Sequence, residues 1–88
     1  MKRDIRFELK QTICDYINDE ELAKGLTPKE LDEAKALEDY GIDSLNLLEL
    51  GIRIEEDHPI DLNLLPHLEN QRVGTFLDEV IKLYKENY

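Results

Sequence analysis

The sequence predicts an all-α fold, a small three- to four-helix bundle with an extra short helix in its first long loop. Three observations point there. Apolar residues recur every three or four positions in three separate stretches, the repeat of helices buried along one side. No stretch alternates apolar and polar residues with the period of two that marks a strand. The length, 88 residues, suits a single domain spanning 1–88. A chain of that size buries only roughly 60–65 % of its unfolded surface. Its core is therefore thin, and a deep site with several converging catalytic groups is not expected.

The first helix is expected over residues 3–18, where Ile5, Leu9, Ile13 and Ile17 repeat at intervals of four with Tyr16 alongside. Phe7 and Cys14 lie off that stripe. A long connection, 19–43, follows. Within it, Thr27-Pro28-Lys29-Glu30 has the order of a helix start: threonine at the N-cap, proline at N1, glutamate at N3. A short helix is expected over 28–36, with Leu31 and Ala34 turned inward and turns at Gly25 and Gly41. Asp43-Ser44 then opens a helix that runs to about residue 56 and is ended by Pro59. Ile60, Leu62, Leu64 and Leu65 make the next loop apolar enough to lie on the core, and 66–70 is expected to form one helical turn. The last helix, 73–86, carries Val73, Phe76, Leu77, Val80, Ile81 and Tyr84 at spacings of three and four, weakened slightly by Gly74.

The helix after Ser44 differs from the other two. With ~100° between successive residues, Leu47, Leu50, Gly51 and Ile54 fall on one side, and Leu45, Leu48 and Ile52 nearly opposite, with Glu49 and Glu56 among them. Asn46, Arg53 and Asp57 fill one gap between the faces, and Glu55 sits in the other. A surface helix needs one apolar stripe. The second either packs beneath the 60–65 loop or stays open as a docking surface edged by carboxylates.

Charge narrows the classes of partner. With 21 acidic and 11 basic residues the chain carries a net charge of −10. It repels phosphate backbones and anionic membrane surfaces, which argues against nucleic-acid binding. Proteins with basic patches are the expected partners, although acidity also serves solubility alone. Cys14 is the one cysteine, so no internal disulfide forms, and a structural thiol in a reducing compartment is expected. No apolar run approaches the ~20 residues of a membrane span, and the N-terminus lacks the apolar stretch of a signal peptide. A cytoplasmic monomer is the expectation.

The run Leu37-Glu38-Asp39-Tyr40-Gly41-Ile42-Asp43-Ser44-Leu45, followed by Asn46-Leu47-Leu48-Glu49-Leu50, resembles the prosthetic-group site of acyl carrier proteins. The order of long helix, long loop, Asp-Ser-Leu helix, short helix and final helix resembles that family over essentially the whole chain. The resemblance implies a discrete carrier, not an enzyme. Ser44 would bear a 4'-phosphopantetheine arm, moved from coenzyme A by a phosphopantetheinyl transferase that uses magnesium. The thiol of the arm would hold acyl groups as thioesters for loading, transferring or condensing enzymes of fatty-acid, polyketide or related specialised biosynthesis. Asp43 would help position the magnesium and the serine, besides capping the helix. Leu45, Leu48, Glu49, Ile52, Glu55 and Glu56 match positions where the family meets basic docking patches on its partner enzymes.

Four features depart from the family pattern. Asn46 stands where many members have an acid. Gly51 stands where a branched apolar residue is usual, which suggests either close helix packing or a widened internal pocket. The 27–36 segment lengthens the first loop, and His58-Pro59 replaces an aromatic-glycine helix end.

Other chemistries fit worse. Gly41-Ile42-Asp43-Ser44-Leu45 lacks the second glycine of a nucleophile elbow and follows no strand, and only His58 and His67 could act as base. Asp39, Asp43 and Glu49 suggest a calcium loop, but Gly41 and Ser44 occupy the wrong positions for one. One cysteine and two histidines do not make a usual zinc site. The alternative that stands is an unmodified helical interaction module that keeps the carrier fold.

Overall fold

The computed structural model describes residues 4–58, 60 and 71–86. Asp4 caps the first helix, α1 (Ile5–Asp19), by accepting from the Phe7 N–H at 3.1 Å. A 3-10 helix, Leu37–Tyr40, lies in the long first loop. The second helix, α2 (Ser44–Asp57), and the third, α3 (Val73–Glu86), complete the bundle. No strand occurs among the described residues. The architecture is the small all-α bundle that the periodicity predicts.

The core lies where the three stripes meet. Leu9, Ile13 and Ile17 of α1 face Leu47, Leu50 and Ile54 of α2 and Val73, Phe76, Leu77 and Val80 of α3, all buried. Leu31, Leu37 and Ile42 fold in from the first loop, and Ile60 closes the far end. The rest of the 60–65 loop, and the helical turn expected at 66–70, lie outside the described residues. Cys14 is buried off the main stripe, and burial pushes its thiol up to about 11, as suits a structural thiol. No described helix is long and apolar enough to cross a membrane.

The first loop departs from the sequence expectation. Thr27 and Glu30 do begin a helical turn. Glu30 Oε1 accepts from the Thr27 N–H at 3.1 Å and its hydroxyl at 2.9 Å, while the Glu30 and Leu31 N–H groups donate to the Thr27 carbonyl. The helix expected over 28–36 is nevertheless absent, and Ala34 faces solvent. The carbonyls that would carry it forward serve α3 instead. The Lys35 carbonyl accepts from the Val73 N–H at 2.8 Å and the Glu33 carbonyl from the Gly74 N–H at 2.9 Å. The Ala34 carbonyl accepts from the Arg72 guanidinium, and Ala36 and Arg72 form an isolated antiparallel bridge. A single turn is a poor nucleus, whereas these bonds satisfy N–H groups that α3 cannot pair within itself. The loop's short helix forms three-residue turns further on, at Leu37–Tyr40. Gly74 permits the close approach: a Cβ there would lie 3.2 Å from the Glu33 carbonyl oxygen.

Side chains pin the same loop from both flanks. Glu33 accepts from the Arg6 guanidinium and, at 3.2 Å, from Lys10, and Arg6 reaches on to Asp78 at 2.7 Å. Hydrogen bonds from Arg6, more than those from Lys10, hold the Glu33 carboxyl below its ordinary value of 4.5. Its folded value is the lower one. Its contribution to stability is therefore present above about pH 4.5 and lost as the pH falls through the depressed folded value. Glu33→Gln is expected to flatten that acid limb of unfolding free energy against pH, measured by urea titration.

Candidate functional site

The turn leading into α2 is built by three local devices. Gly41 ends the 3-10 helix in the left-handed region, at φ 80°, and its N–H donates to the Glu38 carbonyl at 2.9 Å. A Cβ at this glycine would be strained by that φ and would meet Leu22 Cδ2 at 3.3 Å. Ile42 is buried and anchors the chain to the core. Asp43 is the N-cap: its carboxylate accepts from the Asn46 N–H at 2.9 Å, and its carbonyl accepts from the Leu47 N–H at 2.8 Å.

Ser44 is the first residue of α2, and its side chain is exposed. The Ser44 and Leu45 N–H groups take no partner among the described residues. They sit at the positive end of the helix, an arrangement that accepts an anion. His58 is buried at the opposite end of α2, edge-on to Tyr84 with ring centroids 6.1 Å apart. Fourteen residues at 1.5 Å each put it roughly 20 Å along the axis from Ser44, so it cannot act as base there. His67 lies outside the described residues. No group of three metal-ligating side chains occurs among the described residues.

Asn46 points inward. Its Nδ2 donates to Asp43 Oδ1 at 2.8 Å and to the Gly41 carbonyl at 3.1 Å, while its Oδ1 accepts from the Tyr16 hydroxyl at 3.0 Å. Turned the other way, the amide would gain the Asp43 N–H at 3.3 Å but set oxygen against oxygen at both of the first contacts, which are shorter. Tyr16 is a buried side chain of α1. Glu49 Oε2 is a second acceptor, 3.3 Å from the same hydroxyl.

The residues of α2 divide cleanly between its two faces. Leu47, Leu50, Gly51 and Ile54 are buried. Leu45, Leu48 and Ile52 are 66 %, 67 % and 58 % exposed, so no described residue covers the second stripe. Glu49, Glu55 and Glu56 are exposed beside it. The one cation of α2, Arg53, is drawn away to α1: it pairs with Asp19 at 2.7 Å and lies over the Tyr16 ring, 5.2 Å from the centroid. Glu20, at the end of α1, adds to the acidity. A hydrogen bond with Glu49, then burial and repulsion from the same carboxylate, raise its carboxyl above the ordinary value.

The contact between Tyr16 and Asn46 is the part of the site that sequence reasoning missed. Tyr16 was visible only as an addition to an apolar stripe, and Asn46 only as a missing charge. Nothing local pairs two residues on different helices.

Among known protein families, the one described as phosphopantetheine attachment site has a model that matches residues 9–80. Neither the curated proteins nor the solved structures gave a match.

Proposed function

Because the chain belongs to the phosphopantetheine attachment site family, and so is an acyl-carrier-type protein for covalent 4'-phosphopantetheine and not an enzyme, we propose that Ser44 Oγ carries the arm. The observation that supports this is the opening of α2: an exposed primary hydroxyl, beside two N–H groups without a partner among the described residues, on a turn fixed by Gly41 and Asp43. In the transfer, an Oγ–phosphorus bond forms and the pyrophosphate bond of coenzyme A breaks. The nucleotide half leaves, and the serine proton passes to a base of the phosphopantetheinyl transferase. Ser44 and Leu45 N–H groups would hold the resulting phosphodiester. The Asp43 carboxylate, already fixed as the cap, would face the transferase's magnesium. When bound, the arm supplies a terminal thiol that holds acyl groups as thioesters.

The outer face of α2 is the docking surface in this reading. Leu45, Leu48 and Ile52 form its apolar centre, with Glu49, Glu55 and Glu56 as an acidic rim for basic patches on partner enzymes. The partners are the transferase and acyl-loading, transferring or condensing enzymes of fatty-acid, polyketide or related biosynthesis. Leu48→Glu is expected to lower kcat/KM for arm transfer about tenfold, equivalent to about 1.4 kcal/mol. Its unfolding midpoint should stay unchanged, since the side chain is 67 % exposed.

The test is intact mass after incubation with coenzyme A, magnesium and a broad-specificity transferase. A gain of one phosphopantetheine supports the carrier reading. No gain supports an interaction module that is never modified.

A further inference from the structure

We propose that Asn46 is a positioning residue for the modification site, held in place by Tyr16 and locking the turn that presents Ser44. This rests on the reading of Ser44 as the attachment point. The amide does three things at once. Its Nδ2 bridges the Asp43 carboxylate (2.8 Å) and the Gly41 carbonyl (3.1 Å), so the chain on either side of Ile42 is tied into one unit. Its backbone N–H donates to the same carboxylate at 2.9 Å. Its Oδ1 accepts from the Tyr16 hydroxyl at 3.0 Å, which joins the turn to the buried face of α1. The hydroxyl itself is anchored because the Tyr16 ring is buried and carries Arg53 on its face.

Only a side chain with a donor and an acceptor on one planar group fits these contacts. A carboxylate at position 46 has the same shape, but would set oxygen against oxygen at 2.8 and 3.1 Å. A carboxylate there would keep acceptors for the Tyr16 hydroxyl and the Asp43 N–H, but would offer no donor to the Asp43 carboxylate or the Gly41 carbonyl. The charged and titratable groups around the amide are Asp43 at the cap and Tyr16 on α1, with Glu49 and Arg53 on α2 and Glu20 beyond them.

Asn46→Asp, with Tyr16→Phe as the second variant, tests the assignment. For Asn46→Asp the kcat of arm transfer should fall about tenfold with KM unchanged, because the docking face is intact. The loss should shrink as pH is lowered and the introduced carboxyl gains a proton, which restores a donor toward Asp43. A change in rim charge would instead move KM and its salt dependence. Tyr16→Phe should give a smaller fall in kcat with no such pH dependence. Independently of transfer, amide NMR signals of residues 41–45 should shift and broaden in Asn46→Asp at neutral pH and recover at low pH, while those of α3 stay fixed. If the unchanged chain accepts no arm, the reading of Ser44 fails and the NMR comparison still decides the role of Asn46. Unaltered signals over 41–45, or an unaltered kcat in a chain that does load, would overturn the proposal.

Discussion

Ser44→Ala is expected to take up no phosphopantetheine under conditions that load the unchanged chain completely. The expectation is all-or-none because no other aliphatic hydroxyl is placed to replace it. Ser44 is the only serine in the chain. Thr12 is buried, its hydroxyl donating to the Glu8 carbonyl and to Asp57. Thr27 gives its hydroxyl to Glu30 at 2.9 Å. Thr75 is the closest analogue, exposed in the first turn of α3. Its helix end, however, is already covered, since the Lys35 and Glu33 carbonyls take the Val73 and Gly74 N–H groups. A hydroxyl near a helix start is therefore not sufficient. The start must also keep its first N–H groups open, and among the described residues nothing closes those at the opening of α2. The variant should fold normally, because the cap belongs to Asp43. Intact mass together with circular dichroism separates loss of the acceptor from loss of the fold.

Phe76→Ala should have the largest effect on stability, about 3–5 kcal/mol. Phe76 is fully buried at the centre of the α3 stripe, among the largest side chains with no exposure. A domain of this size is stabilised by only about 5–15 kcal/mol, so the variant should be near its unfolding midpoint at moderate temperature. Urea titration measures the shift. The contrast with Leu48→Glu is instructive. One variant weakens the fold and leaves the outer face chemically intact, and the other leaves the fold and alters the face.

The three helices are legible in the sequence because helix periodicity is a local signal that burial then enforces. α2 and α3 begin where expected, at Ser44 and Val73, and α1 begins two residues later than expected, at Ile5. The capped turn at Asp43-Ser44 is legible for the same reason: its bonds run between neighbours three residues apart. The 28–36 helix was misread because Thr27 and Glu30 supply a correct local start, while the fate of the next carbonyls is decided by α3, some forty residues away. The double stripe of α2 was legible, but which stripe is covered depends on the path of the loops. Asn46 is the sharpest case. Its sequence neighbours suggest a surface position short of one charge, and its partner Tyr16 lies thirty residues back.

The central claim is that Ser44, as the opening residue of α2, bears the arm. A proton–phosphorus correlation spectrum of the loaded chain tests it most directly. The account predicts a phosphorus signal coupled to the Ser44 β-protons and to the first methylene of the arm. A coupling to any other residue, or no phosphorus signal on the chain, would contradict it.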